Sequence, residues 1–208
     1  MLHKETLDAG TLALIKRLQA DPVLDGFVLV GGTALALMIG HRISDDIDLF
    51  SQEPFDADSM LEHLEGSYGF SLQYRHQNTL KGIVGNVFVD LLTHSYPMIR
   101  KPKKEEGVTI MSKEDIAAMK VSAISGNGTR PKDFIDMYFL LKEYTVGEVM
   151  GFYAEKYNQR NTFHALKSIT YFEDMDEAAW PKMLLEKTLT PNALKKALIK
   201  STSEYLNG

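Results

Sequence analysis

One stretch, residues 27–50, limits the folds open to this chain more than any other. An apolar run, Phe27-Val-Leu-Val30, leads directly into Gly31-Gly32. Thr33-Ala-Leu-Ala-Leu-Met-Ile39 and Gly40 follow, and then Asp45-Asp46-Ile47-Asp48-Leu49-Phe50. The first run is short, apolar and bounded by a turn signal, so it reads as a buried strand. The residues after the glycines read as a helix closed by Gly40, because glycine suits the left-handed conformation past a helix end. Residues 45–50 read as a second strand. A strand, a glycine turn, a short helix and a further strand in immediate succession call for a sheet with helices packed on it.

The rest of the chain extends this pattern and then abandons it. Leu7, Thr11, Leu14, Ile15 and Leu18 form one stripe of a helix over residues 5–20, which ends at Asp21-Pro22 because the residue before proline avoids the helical region. Residues 56–65 suit a helix. Residues 70–76, 80–84 and 87–93 suit strands, the last two joined by the tight-turn signal Gly85-Asn86. Residues 96–107 hold Pro97, Pro102 and Arg100-Lys-Pro-Lys-Lys104 and read as a basic linker or loop. Beyond it, Ser112-Lys-Glu-Asp115 resembles a helix start. Residues 113–125, 131–144, 146–158, 160–171 and 191–206 all suit helices. The expectation is an α+β chain: a mixed α/β part over 1–106 and a helical part over 107–208.

Composition removes several function classes. There is no Cys, which excludes disulfides, thiolate metal sites and cysteine nucleophiles. A cytoplasmic, reducing location is expected. The formal net charge of −5 disfavours wide phosphate-backbone binding, though a local basic cleft is compatible with it. The longest apolar stretch, residues 27–39, is interrupted by Gly31, Gly32 and Thr33, so no membrane span is expected. The acidic N-terminus does not read as a signal peptide.

The carboxylates and glycines carry the chemistry. Glycines at a strand-to-helix turn let the backbone approach a phosphate, and the helix N-terminus favours the anion. The Thr33 hydroxyl can add to such a site. Residues two apart on a strand share a face, so Asp46 and Asp48 project together while Ile47 and Leu49 point into the core. Two adjacent carboxylates need a cation, and Mg²⁺ takes hard oxygen ligands while bridging to substrate phosphates. Asp90 is the one charge in the apolar strand Val87-Phe-Val-Asp90-Leu-Leu-Thr93, and a lone acid there is costly unless paired or metal-bound. Bland accounts stand beside each of these. A glycine pair is commonly just a turn, an Asp-x-Asp can be a solvated edge, and an acid in a strand can lie at a sheet margin.

Further candidates have two readings each. Lys120 lies among Ile116, Val121, Ala123 and Ile124 at helical spacing. It either snorkels to water or places its ammonium on phosphates. Asp133 sits at a helix start, where the dipole favours it, or orients Lys120. Asp136 shares its face and reads as structural. Arg42 can bridge carboxylates or touch a phosphate, and Ser44 can serve the site or simply bond the following turn. The basic groups Arg100 to Lys104 and Lys195, Lys196 and Lys200 read as solvated surface or as the footprint of an acidic or RNA partner.

Taken in order, these motifs resemble the polymerase-β-like nucleotidyltransferase superfamily. More narrowly, Gly-Gly-Thr-Ala-Leu followed by His41-Arg-Ile-Ser-Asp-Asp-Ile-Asp-Leu-Phe50, then Lys120 and Arg130-Pro-Lys-Asp-Phe-Ile-Asp136, is similar to the AbiEii/AbiGii toxin family. The superfamily usually has Gly-Ser where this chain has Gly31-Gly32, and the narrower family accepts Gly-Gly. The resemblance implies a small mixed sheet flanked by helices with a helical region after it. It also implies Mg²⁺ held by Asp46, Asp48 and Asp90, and nucleotide contacts from Gly31, Gly32, Thr33, Arg42, Ser44, Lys120 and Asp133. Asp46, Asp48, Asp90 and Lys120 would carry catalysis. The reaction would move a nucleotidyl group from an NTP to a hydroxyl of RNA, tRNA or protein and release pyrophosphate. Asp90 would act as a metal ligand or accept the hydroxyl proton. An antitoxin protein is the expected partner. Two rivals remain at this point: a nucleotide- or partner-binding module without chemistry, and a Mg²⁺-dependent phosphohydrolase.

Overall fold

The computed structural model describes all residues, Met1–Gly208. The chain divides into two compact units. The first is Met1–Pro97 with Pro102–Met111, and the second is Met98–Lys101 with Ser112–Gly208.

The first unit is built on a seven-stranded mixed sheet. Its strands are β1 (Val28–Val30), β2 (Ile47–Ser51), β3 (Ser71–His76), β4 (Thr79–Val84), β5 (Val87–Thr93), β6 (Lys103–Glu105) and β7 (Val108–Ile110). Across the sheet they run β3-β4-β5-β2-β1-β7-β6. The β3-β4-β5 meander is antiparallel, β5 runs parallel to β2, and β2 is antiparallel to β1. Helices α1 (Ala9–Ala20), α2 (Gly31–Ile39) and α3 (Ala57–Tyr68) pack against β7, against β1 and β2, and against β3 and β4 respectively. All three residues of β1 are buried, as the unbroken apolar run requires. In β2 and β5 the alternation is sharp: Ile47, Leu49, Val89 and Leu91 are buried, while Asp48 and Asp90 lie half-buried on the opposite face.

The segment expected to be a basic loop differs. Residues 103–110 form the β6-β7 hairpin, turned by Glu106 and Gly107 with φ of 50° and 84°. Val108 and Ile110 are buried, and β7 lies parallel to β1, so the hairpin belongs to the sheet. The boundary between units therefore falls between Met111 and Ser112, past the expected position near 106. Its lysines face solvent, which is why composition conceals the strand.

The second unit is helical, with α4 (Lys113–Gly126), α5 (Pro131–Leu140), α6 (Val146–Tyr157), α7 (Phe163–Ser168) and α8 (Pro191–Asn207). Helix α4 is central, packing on α5, α6 and α7, while α8 packs on α5 and α6. Ser112 caps α4 through its hydroxyl, and Thr145 with Glu148 forms a capping box on α6. Asp115 fixes the start of α4 from within. Its carboxylate accepts from the Ile99 and Arg100 amides at 3.0 Å, from Ser112 Oγ at 2.7 Å and from Lys156 Nζ at 2.7 Å. Four donors satisfy an acid that solvent does not reach. No helix is long and apolar enough to cross a membrane.

Candidate active site

The site in the first unit begins with the register. Asp48 of β2 is paired with Val30 of β1 on one side and with Asp90 of β5 on the other. Asp90 in turn is paired with Lys81 of β4. Cross-strand partners share a face, so Lys81, Asp90, Asp48 and Val30 form one row across the sheet. Asp46 stands two residues before Asp48, at the lead-in to β2. The expected neighbourhood of Asp90 and the Asp46/Asp48 pair is thus present.

Val30 is the last residue of β1 and the N-cap of α2, so the row ends at a helix N-terminus. Gly31 has φ +72°, and a Cβ built there would lie 2.3 Å from Asp48 Oδ2. Asp48 therefore packs its carboxylate directly against the glycine backbone, beside the positive end of α2. Side-chain oxygens of Asp8, Asp56, Ser112, Thr145 and Thr190 cap the helices that follow them. Val30 has no such oxygen to offer the first-turn amides of α2. The carboxyl of Asp45 is pushed up, by desolvation first and then by the charges of Asp8 and Asp46.

Thr33, Ser44 and Arg42 serve this geometry from below. Thr33 is buried, and its hydroxyl bonds Ser44 Oγ at 2.9 Å and donates to the Asp46 carbonyl. It ties the first turn of α2 to the lead-in of β2 and so sets the height of the acid pair against the glycines. Arg42 is 2% exposed, and its Nη1 donates to the Ile43 carbonyl at 3.1 Å. Thr33 and Ser44 thus join the first turn of α2 to the lead-in of β2, and the Arg42 side chain is buried in the first unit.

The residues present fit a divalent cation in a specific way. Asp90 is ion-paired with Lys81, and no group of three or more His, Asp or Glu side chains is gathered as a metal centre. Asp48 beside the Gly31 turn, with Asp46 at the lead-in to the same strand, offers carboxylate oxygens of the kind Mg²⁺ takes together with substrate phosphates. Sequence reasoning missed Lys81. The signal was available, because a two-residue turn at Gly85-Asn86 pairs Val84 with Val87 and, counting back, Lys81 with Asp90.

In the second unit, Lys120 does not reach for water. Its side chain is 8% exposed, and its ammonium lies 2.7 Å from Asp133 Oδ1 and 2.6 Å from Asp136 Oδ2. Helices α4 and α5 meet here, and i, i+3 spacing on α5 presents both acids to one lysine. Arg130 Nε lies 3.0 Å from Asp133 Oδ2, although that oxygen has no aligned hydrogen-bond donor. Asp133 thus orients Lys120, as one reading of the sequence had it, and Asp136 does so equally.

A glycine-started helix, acids at and just before the next strand and a third acid across a parallel register are thus set side by side. The comparisons with known proteins identify the class as a nucleotidyltransferase. The sequence model described as "Nucleotidyl transferase AbiEii toxin, Type IV TA system" matches residues 13–80 and 69–200. The chain belongs to the AbiEii nucleotidyltransferase toxin family. An uncharacterized protein of Aquifex aeolicus (strain VF5) is 32% identical over 164 residues, covering 76% of this chain and 79% of that protein. Among solved structures, the nucleotidyltransferase toxin MenT4 of Mycobacterium tuberculosis H37Rv superposes with a TM-score of 0.61 at 13% identity. That match covers 95% of this chain and 83% of MenT4. ANT(2″)-Ia in complex with adenylyl-2″-tobramycin gives 0.53 at 17% identity, covering 72% and 98%. At these identities the likeness is one of fold.

Proposed function

We propose that the chain transfers a nucleotidyl group from an NTP to an acceptor hydroxyl, with Mg²⁺ and release of pyrophosphate, as the toxin of a toxin–antitoxin pair. The observation that carries this reading is the packing of the Asp48 carboxylate against Gly31, with Asp90 opposite on β5. It supports a reading in which acid, glycine turn and helix N-terminus meet one triphosphate. Asp46 and Asp48 hold the cation, and the amides of Gly31 and Gly32 receive phosphate oxygens at the head of α2. A bound Mg²⁺ would neutralise charge on the triphosphate as the bond to the α-phosphorus breaks. Asp90 is the third acid, a further ligand or the group that accepts the proton of the attacking hydroxyl. For Lys120 and Asp133 as nucleotide-binding residues the support is the family resemblance alone.

RNA, and tRNA in particular, is the proposed acceptor class, with a protein hydroxyl as the other option. An antitoxin protein is the proposed partner. That ANT(2″)-Ia was solved with an adenylylated product supports nucleotidyl transfer on this fold. The test supplies each of the four NTPs, labelled at the α- or γ-phosphate, with Mg²⁺ and total RNA or total protein. Transfer of α-label with release of labelled pyrophosphate is expected, and Asp48→Asn should abolish both. Release of inorganic phosphate without transfer would replace this reading with a phosphohydrolase.

A further inference from the structure

The sheet face that carries Asp48 and Asp90 also carries exposed aromatic rings. Phe88 stands two residues before Asp90 on β5, so the two share that face. Phe88 is 51% exposed, whereas Val89 between them is fully buried on the other face. The register partner of Phe88 on β4 is Ile83, which is half-buried and extends the apolar surface outward. Tyr74, also 51% exposed, is the register partner of Lys81 and lies on the same face at the sheet edge.

Strand order decides which ligand meets this patch. In the proposed reaction the departing pyrophosphate lies at Gly31, at the end of β1, and the α-phosphorus lies over β2. The next strand on the side away from β1 is β5. An in-line displacement brings the attacking oxygen to phosphorus opposite the leaving group, and therefore over β5. That oxygen bonds to the α-phosphorus and gives up its proton to Asp90 or to solvent, and pyrophosphate departs with the bonding pair. Phe88 lies about 7 Å along the strand from Asp90. A nucleoside bridges such a gap, with a ribose hydroxyl at the acid and its base on the ring. A serine or threonine acceptor carries no such base.

We infer that Phe88 is the stacking platform for the terminal base of a single-stranded RNA acceptor. The inference rests on the proposed nucleotidyl transfer and deepens it by naming what holds the acceptor. An unpaired end is required, because only a splayed base has a face free to stack on a side chain. Tyr74 and Lys81 continue the patch and offer a second ring and an ammonium to the preceding nucleotides.

The test uses the full chain and a short single-stranded RNA of mixed sequence, first without NTP, so that it reads binding apart from transfer. In Phe88→Trp/Trp180→Phe the one indole of the chain sits on the patch. Its fluorescence is expected to fall as RNA is added, and NTP with Mg²⁺ should leave that quench in place. Phe88→Ala is expected to weaken RNA binding about 5- to 100-fold. In label transfer it should raise the KM for RNA and leave the KM for NTP unchanged, and Phe88→Tyr should restore both RNA readouts. Unchanged RNA affinity in Phe88→Ala would overturn the inference. So would quenching by NTP that RNA does not reproduce, which would give the ring to the donor base, or label transfer to protein that Phe88→Ala leaves intact. None of these results removes the transfer of α-label or its dependence on Asp48, so the platform and the reaction fail separately.

Discussion

Gly31 and Asp48 are matched to each other. The carboxylate of Asp48 fills the space where a side chain on residue 31 would project, and the positive φ of Gly31 bends the chain to admit it. Gly31→Ala therefore carries two penalties, a strained backbone and a forced shift of Asp48. A loss of about 1–3 kcal/mol in stability is expected, together with an activity loss beyond what that destabilisation explains. Urea unfolding and label transfer, measured on the same preparation, separate the two effects. Normal activity in Gly31→Ala would show that the contact is dispensable.

Thr33 distinguishes a supporting residue from a phosphate ligand. Its hydroxyl is spent on Ser44 and on the Asp46 carbonyl inside the unit. Thr33→Val should cost about 1–3 kcal/mol, because it strands buried polar partners, and Thr33→Ser should recover most of it. Thermal unfolding of both variants checks this. An unchanged melting temperature in Thr33→Val with a raised KM for NTP would instead mark a direct nucleotide contact.

Lys120 holds two buried carboxylates apart. Lys120→Met removes the ammonium that contacts both Asp133 and Asp136, whose side chains are 3% and 0% exposed. The expected cost is about 3–5 kcal/mol, the usual range for breaking a buried pair. Lys120→Met/Asp136→Leu should recover part of it. A double-mutant cycle in urea reports the coupling, and independence of the two substitutions would contradict the geometry.

Asp115 makes the helical unit acid-sensitive. Burial raises its pKa, but the bonds from Lys156, Ser112 and the Ile99 and Arg100 amides outweigh that, and the net shift is downward from 3.8. A depressed folded pKa means the stabilisation is complete above the unfolded value and is lost as pH falls below it through the folded one. Asp115→Asn should therefore lie well below wild type in stability at pH 7, with the gap narrowing as pH drops under about 4. Chemical denaturation at the two pH values measures the gap, and a constant difference would contradict the assignment.

The sequence was readable where local signals agree. The β4-β5 hairpin was legible because Gly85-Asn86 is a strong turn and apolar alternation runs on both sides. The face of Asp48 was legible because Ile47 and Leu49 define the buried face of β2. Hairpin β6-β7 was hidden, since three-residue strands flanked by prolines and lysines carry too little pattern, and Val108 and Ile110 were its one trace. The burial of Arg42 and Thr33 was not legible for a different reason. Charge and hydroxyl suggest solvent or ligand, and burial depends on tertiary packing that no local spacing encodes. Lys81 was overlooked because a lysine in a strand looks like ordinary surface until the register is counted.

The acids beside Gly31 are proposed to bind a nucleotide through a divalent cation. A thermal shift with each of the four NTPs, with and without Mg²⁺, on wild type and Asp48→Asn, tests it most directly, because a ligand of the folded state alone must raise the melting temperature. A Mg²⁺-dependent rise is expected with at least one NTP and should disappear in Asp48→Asn. A rise that persists in Asp48→Asn, or that needs no Mg²⁺, would contradict it.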